Sequence, residues 1–216
     1  MVEYAFKNSD MTIIITNTPW YELPVDALVL SANNQLRLKG ATGLARYLAE
    51  ECPEMHEKIQ QNLVKLESEP GRGLTFGNGM TIDGGPNDKS VIHAVTVDYH
   101  HEATSVRYAS VASVAAATEF AIHEARNNDF HSIGFALMCT RGHADEFLPT
   151  AMAKIELPLV QLKTIFGMLA VAERQNPRRV YITTYSPQDK ESEAAHSNLL
   201  ENELNRLSGL YDSKNY

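Results

Sequence analysis

Two short runs of almost continuously apolar residues place the strongest constraint on the fold. Val91–Val97 reads VIHAVTV and Ser132–Met138 reads SIGFALM, and such runs are typical of strands that are buried on both faces of a sheet. Further strands are predicted at Thr12–Thr16, Ala27–Ser31, Leu74–Ile82 and Arg179–Tyr185. A strand without a polar face cannot lie against water, so both faces of this sheet need a covering layer.

Segments with helical spacing alternate with these strands and supply that cover. They are Gly43–Glu51, Glu54–Glu67, Ala103–Arg126, Leu159–Arg174 and a last helix from about Pro187 to Leu207. Ser186 is the predicted N-cap of the last helix, with Pro187 at its first position and Asp189 in its first turn. The alternation predicts an α/β layer fold with a largely parallel or mixed central sheet, and six strands are predicted for it. We expect residues 1–216 to form a single domain.

Composition and charge exclude several classes of function. The formal net charge is −8, so phosphate-backbone binding to nucleic acid is not expected. Only Cys52 and Cys139 are present and the eight histidines have no ligand spacing, so we expect neither a disulfide framework nor a metal site. No stretch has the length and hydrophobicity of a membrane span, and Met1–Asn17 does not have the pattern of a secretory signal. We therefore expect a cytoplasmic protein that does not bind membranes.

The loops that follow the predicted strands are the candidate binding site, because ligands of α/β sheets bind beyond the carboxyl ends of strands. Asn33 follows the strand Ala27–Ser31; its amide either holds ligand hydroxyls or bonds its own loop backbone. Gly40–Gly43 precede a helix, where backbone N–H groups and the helix dipole favour a phosphate. The same pattern is also ordinary turn chemistry.

A second loop with small residues follows the strand Ser132–Met138. Its Arg141 could clamp a phosphate or carboxylate, or could be a solvated surface residue. Cys139 could be a nucleophile with His143 as its partner, or a buried and inert thiol.

Taken in order along the chain, these segments resemble the macro domain family. The segments that carry the resemblance are VDALVLSAN at Val25–Asn33, GATGLA at Gly40–Ala45, VIHAV at Val91–Val95, SIGFA at Ser132–Ala136, the loop from Thr140, and the strand Arg179–Tyr185 with the helix after it. The similarity spans nearly the whole chain.

The resemblance implies a three-layer α/β/α sandwich around a mixed sheet of about six strands. It also implies a ligand, ADP-ribose or a related adenine nucleotide, and we expect no cofactor. By position, Asn33 would hold the distal ribose and Tyr185 would stack on adenine. Asn17 would accept a hydrogen bond from the adenine amino group, beside Thr18. The two diphosphate loops would consist of Gly40, Ala41, Thr42 and Gly43, and of Cys139, Thr140, Arg141, Gly142 and His143.

The chain departs from the family pattern at several of these positions. The family's G-D-I-T is replaced by Thr16-Asn17-Thr18-Pro19, and its triple glycine by Lys39-Gly40-Ala41. Arg141 stands where a glycine is usual and His143 where Tyr or Phe is usual. Gly43 occupies the position at which many hydrolases of the family carry an acid.

Three functions are consistent with this pattern. The first is binding of ADP-ribose or of an ADP-ribosylated protein, which needs only the pocket. The second is an ADP-ribosyl hydrolase, with Asn33 and His143 as candidate catalytic residues; Asp98 and Asp145 could replace the missing acid. The third is a degenerate macro fold that serves as an interaction module, which the altered glycine loops favour. We rank binding first.

Overall fold

The chain folds around one mixed β-sheet. The computed structural model describes residues 1–7, 9–36, 38, 43–67, 74–99, 106–107, 109–138, 150–172 and 176–214. The strands are β1 Val2–Ala5, β2 Thr12–Thr16, β3 Ala27–Asn33, β4 Gly79–Ile82, β5 Ser90–Tyr99, β6 Val106–Arg107, β7 Ser132–Ala136 and β8 Arg179–Thr183. The helices are α1 Gly43–Glu51, α2 Pro53–Glu67, α3 Val111–Asn127, α4 Thr150–Ala170 and α5 Lys190–Lys214.

Seven strands lie side by side in the order β1-β2-β8-β7-β3-β5-β4, and β6 pairs with the end of β5. The five strands from β2 to β5 in this order are parallel, whereas β1 and β4 are antiparallel edge strands. The predicted mixed sheet is therefore confirmed, with one more strand than the six expected.

Both faces of the sheet are covered, which confirms the three-layer sandwich. Val29, Ile92 and Phe135 belong to a buried cluster with residues of α3, α4 and α5. Leu28 and Val91, their neighbours along the strands, belong to a second cluster with residues of α1 and α2. This alternation follows from the period of two along a strand, and it explains why the predicted strands have no polar face.

A hydrogen-bonded aspartate fixes the start of the central strands. Oδ2 of Asp26 accepts the backbone N–H groups of His131 and Ser132, both at 2.8 Å. These bonds join the residue before β3 to the residue before β7 and to the first residue of β7. They fix the register of the two strands, and the register in turn decides which residues meet at the far end.

The strand prediction was wrong at both edges of the sheet. Strand β1 was not predicted, because it is an edge strand of four residues, two half-buried and two exposed, and so short a segment gives little periodic signal. The predicted strand Leu74–Ile82 contains only β4. Residues Thr75–Asn78 form a turn in which the side-chain Oδ1 of Asn78 accepts the N–H of Thr75, and Gly77 adopts a positive φ of 81°.

The helix boundaries differ from the prediction for local reasons. The segment from Ala103 to Arg107 is not helical where it is described, since β6 lies there, and α3 begins after Ser110. Ser110 and Ser113 form a reciprocal capping box. Helix α4 begins nine residues before Leu159 and includes Pro158, because Ala153 and Leu157 are buried on its inner face. It ends at Ala170, four residues before the predicted end.

The start of the last helix was also predicted wrongly. Ser186 does not cap it; Ser186 to Asp189 form a turn instead. The side chain of Asp189 accepts the N–H of Ser192 at 2.9 Å, as an N-cap residue does. Of the helices that the structure describes, none is long and apolar enough to cross a membrane.

A solitary imidazole lies in the middle of the sheet. His93 on β5 has no exposed surface, and in the described part of the chain neither of its ring nitrogens has a hydrogen-bond partner. Its strand neighbours on the two sides are Leu30 and Met80. Burial lowers the pKa of His93 to about 4, since the charged form has lost its solvation.

We predict that His93 makes the protein acid-sensitive. The unfolded chain binds a proton at His93 below pH 6.5 and the folded chain only below about pH 4. The free energy of unfolding should therefore fall by about 3 kcal/mol as the pH falls through this window. Denaturant titrations at several pH values should show this slope, and His93→Leu should remove most of it.

His196, whose pKa burial also lowers, contributes a slope of the same sign, as do Glu193 and Glu203, whose hydrogen-bond donors lower their pKa values. His123→Asn on the exposed side of α3 is the matched control and should leave the slope unchanged. A full acid slope in His93→Leu would contradict this account.

Candidate functional site

The candidate site lies at the carboxyl edge of the parallel strands. Thr16 on β2 pairs in register with Thr183 on β8. The N–H of Thr184 then donates to the Thr16 carbonyl at 2.9 Å. The two strands therefore end side by side, at the same position along the edge of the sheet.

A hydroxyl network brings Asn17, Thr18 and Tyr185 together beyond these strand ends. The Thr183 hydroxyl donates to the carbonyl of Thr18 and accepts the N–H of Tyr185 at 3.1 Å. The Thr18 and Thr16 hydroxyls are 2.9 Å apart and hydrogen-bonded. Three of the predicted site residues are thus adjacent.

Lys190 and Tyr21 are neighbours of Tyr185. The ammonium of Lys190 lies 5.2 Å from its ring centroid, a cation–π distance. Burial raises the pKa of Tyr21, and the neighbouring Tyr185 and Glu22 add to this shift. Tyr21 stacks on Tyr47 of α1, with centroids 4.4 Å apart and planes at 11°.

Tyr21, Tyr47 and Tyr185 form an aromatic cluster that the sequence did not predict. The three residues come from a short 3-10 turn, from α1 and from the end of β8, so only the fold brings them together. No spacing in the sequence relates them.

Glu193, in the first turns of α5, connects the parts of this region. It is 8% exposed, and it accepts the N–H of Ser186 at 2.7 Å and the ammonium of Lys190 at 2.9 Å. The side chain of Asn17 lies nearby and also lowers the pKa of Glu193. Burial alone would raise the pKa of Glu193, but these donors outweigh it and hold the pKa below its usual value.

Asn33 lies at the end of β3, where the ladder to β5 is irregular. The register shifts between Ala32 and Asn33, and such a bulge turns a strand end. The Oδ1 atom of Asn33 accepts the N–H of Gln35 at 3.0 Å. Asn33 therefore does bond its own loop, which was one of the two alternatives.

Leu36 anchors the loop that begins at Asn33. Its N–H donates to the Asn33 carbonyl at 2.9 Å, and its side chain is 1% exposed. It has a positive φ of 46°, which is unfavourable for a residue with a Cβ. Burial against the α1 and α2 side of the core holds it there.

The two ends of the candidate site are separated by a defined distance. The sheet order places β8 and β7 between β2 and β3. Neighbouring strands are about 4.8 Å apart, so Asn17 and Asn33 lie on strands about 14 Å apart along the same edge. An extended ligand with two distinct ends fits such an edge.

Both predicted diphosphate loops fall largely outside the described residues. Gly40, Ala41 and Thr42 lie outside them, and Gly43 is the first residue of α1. Cys139, Thr140, Arg141, Gly142 and His143 lie outside as well. Their roles remain predictions.

Gln161 of α4 secures the end of β7, where the second loop begins. Its fully buried amide accepts the N–H of Met138 at 3.1 Å and donates to the carbonyl of Ala136 at 3.0 Å. Sequence reasoning missed this residue, although a glutamine at an otherwise apolar position of a helix was a usable signal.

A cavity of about 210 Å³ adjoins the site on the side of α5. It is lined by Met1, Ile15, Thr16, Asn17, Lys190, Glu193, Ala194, Ser197 and Glu201. Asn17 therefore lies between this cavity and the edge occupied by Thr18 and Tyr185. Among the residues that the structure describes, no group of three or more His, Cys, Asp or Glu side chains could hold a metal ion.

Known structures share this fold, although sequence comparison finds no relative. No protein-family model matches the chain, and no curated protein does. The Oceanobacillus iheyensis macrodomain with ADP is 16% identical, with a TM-score of 0.71 over 96% of this chain and 97% of that one.

Two further macrodomains extend the likeness. The macrodomain of Mycobacterium tuberculosis DarG is 18% identical, with a TM-score of 0.53 over 79% of this chain and 97% of that one. The macro domain of ganglioside induced differentiation associated protein 2 is 14% identical, with a TM-score of 0.60 over 87% and 83% of the two chains. The fold predicted from the resemblance is confirmed as that of the macrodomains.

We predict that Gln161→Met destabilises the protein, because it leaves two buried backbone groups without partners at nearly constant volume. The free energy of unfolding should fall by about 2 to 4 kcal/mol, measured by urea denaturation. Gln60→Met on the exposed face of α2 is the matched control. Equal stability of the two variants would show that other groups satisfy Met138 and Ala136.

Proposed function

We propose that this chain, with its macrodomain fold, binds ADP-ribose or a related adenine nucleotide along the carboxyl edge of its sheet. One observation carries the proposal: an aromatic and polar cluster at the ends of β2 and β8 shares one edge of the sheet with Asn33 at the end of β3, two to three strand spacings or about 10 to 14 Å away. A structure of similar fold was solved with ADP and another with ADPR. We also propose that the whole chain is one domain, since both core clusters pack on a single sheet.

The base would bind at the Tyr185 end. Tyr185 is half-buried, Lys190 lies beside its ring, and its N–H donates to the Thr183 hydroxyl. A half-buried ring loses less conformational entropy than an exposed one when a base stacks on it. Asn17 and Thr18 supply polar groups for the edge of the base.

The sugar and diphosphate would lie toward β3. Asn33 would contact the distal ribose through its amide group, and the N-terminus of α1 at Gly43 would face the diphosphate. Backbone N–H groups at a helix N-terminus favour an anion. The loops at residues 40–43 and 139–143 would complete this part of the site.

The ligand could be a free nucleotide or an ADP-ribose group attached to a protein. Both present the same chemistry to the edge of the sheet. Competition distinguishes them: a modified protein that binds at the site is displaced by free ADP-ribose, whereas a protein that binds elsewhere is not.

We predict that Tyr185→Ala weakens ADP-ribose binding. Loss of base–aromatic stacking costs about 1–3 kcal/mol, which is about tenfold or more in affinity. Calorimetric titration with ADP-ribose measures this, with AMP and NAD as comparison ligands. Tyr185→Phe is the matched control, since it keeps the ring and loses only the hydroxyl, and it should bind within a few fold of the wild type. Unchanged affinity in a folded Tyr185→Ala protein would contradict the stacking role.

We also predict that hydrolysis of ADP-ribosyl esters is weak or absent, even if ADP-ribose binds. Cleavage needs a group that exchanges protons near neutral pH, and the amide of Asn33 cannot do so. His143 is the best substitute, because its ordinary pKa lies near neutrality. A time course with an ADP-ribosylated protein tests this. Fast turnover that is lost in His143→Ala, with ADP-ribose binding retained, would favour the hydrolase over simple binding.

A further inference from the structure

A proline inside α4 leaves one backbone carbonyl of that helix without its usual partner. Pro158 lies within Thr150–Ala170, and proline has no N–H to donate to the carbonyl four residues earlier, which is that of Lys154. The proline ring also crowds this carbonyl, and helices bend at such positions. Helix α4 therefore has two halves, residues 150–157 and residues 159–170, which meet at Pro158.

A histidine on the neighbouring helix supplies the missing donor. Nε2 of His196 on α5 donates to the carbonyl oxygen of Lys154 at 3.0 Å. Because a carbonyl oxygen only accepts hydrogen bonds, Nε2 is the ring nitrogen that carries the proton. His196 is 9% exposed, so packing holds its ring against α4 as well. The acceptor that Pro158 frees on one helix is thus paired with a donor on the next.

The two halves of α4 are held to the rest of the protein in different ways. The second half has several polar contacts, with β7 through Gln161 and with α5 through the pairs Lys163–Glu203 and Ala170–Tyr211. Between the residues that the structure describes, the bond from His196 is the one hydrogen bond or ion pair that joins residues 150–157 to another element. The direction of the first half therefore depends on His196 and on the buried side chains of Ala153 and Leu157.

The bend at Pro158 also relates the two ends of the chain segment that precedes α4. Met138, where that segment begins, is bonded to Gln161 in the second half of α4. Thr150, where the segment ends, is the first residue of the first half. A rotation of one half against the other at Pro158 therefore changes the distance between Met138 and Thr150.

We propose that His196 is a positioning residue, which latches the first half of α4 through the carbonyl that Pro158 leaves free. This latch fixes the span between Met138 and Thr150. The segment that closes the span includes the predicted second diphosphate loop, residues 139–143. Resting on the proposed function, the latch sets the affinity of that loop for its ligand, and His196 itself does not contact the ligand.

A double-mutant cycle read by amide hydrogen exchange tests the pairing of His196 with the free carbonyl. His196→Leu should speed exchange at residues 154–157 by about ten- to hundredfold, because a shielded acceptor loses its donor. In a Pro158→Ala background residue 158 donates to the Lys154 carbonyl, so His196→Leu should change this exchange by no more than a few fold. Equal acceleration in both backgrounds would show a loss of packing alone and would overturn the proposal.

Two further variants serve as controls for the exchange experiment. His196→Gln carries a side-chain amide that can donate in place of Nε2, and its exchange at residues 154–157 should stay within a few fold of the wild type. This rescue separates hydrogen-bond donation from packing of the ring. His123→Leu removes an exposed histidine from α3 and should leave the exchange of these residues unchanged.

Residual dipolar couplings of the ligand-free protein test whether the latch fixes the bend. In the wild type, the backbone N–H couplings of both halves of α4 should fit one rigid orientation. In His196→Leu, the couplings of residues 150–157 should depart from that orientation, whereas those of residues 159–170 should still fit it. Couplings that fit the same orientation in both proteins would overturn the role of His196.

Binding measurements separate this proposal from the proposed function. If ADP-ribose binds the wild-type protein, His196→Leu should weaken its binding several-fold and His196→Gln should not. Unchanged affinity in His196→Leu would overturn the link between the latch and the ligand, and the proposed function would stand. If the wild-type protein does not bind ADP-ribose, the proposed function fails, and the exchange and coupling experiments decide the role of His196 on their own.

Discussion

The hydrogen-bonded register of the parallel strands is the constraint on which the candidate site depends. Because β2 and β8 pair with Thr16 opposite Thr183, the residues that follow them must leave the sheet at one level. A slip of one residue would turn every core side chain of a strand to the other face, and the two apolar clusters oppose such a slip. The same packing that buries the sheet therefore sets Asn17 beside Tyr185.

The architecture could be predicted from the sequence because the pattern of apolar strands alternating with amphipathic helices occurs several times along the chain. Runs such as Val91–Val97 admit few alternatives to a strand buried on both faces, and several of them alternate with helices. The predicted helix boundaries were wrong where each depended on a single local sequence pattern. Pro187 suggested a helix start that a turn occupies, and the helix-like pattern before Ser110 could not show that a capping box there starts α3.

The site was predicted less completely, for a different physical reason. Asn17, Thr18 and Tyr185 follow strands, and parallel strands bring their carboxyl ends together, so their proximity was predictable. Tyr21, Tyr47 and Glu193 meet them through tertiary packing, which leaves no periodic trace in the sequence. Asn33 shows the limit of inference from residue type, since an amide that could hold a ligand also bonds its own loop.

Gln161 has a consequence for how such a protein can diverge. It fixes Met138 at one end of the segment that leads to α4, and α4 itself is packed in the core at the other end. The anchors of that segment are thus independent of the residues between them, and the entropy of closing a loop depends only weakly on its length. Substitutions within the segment therefore leave both anchors in place, so that the sequence can diverge there without a change of fold.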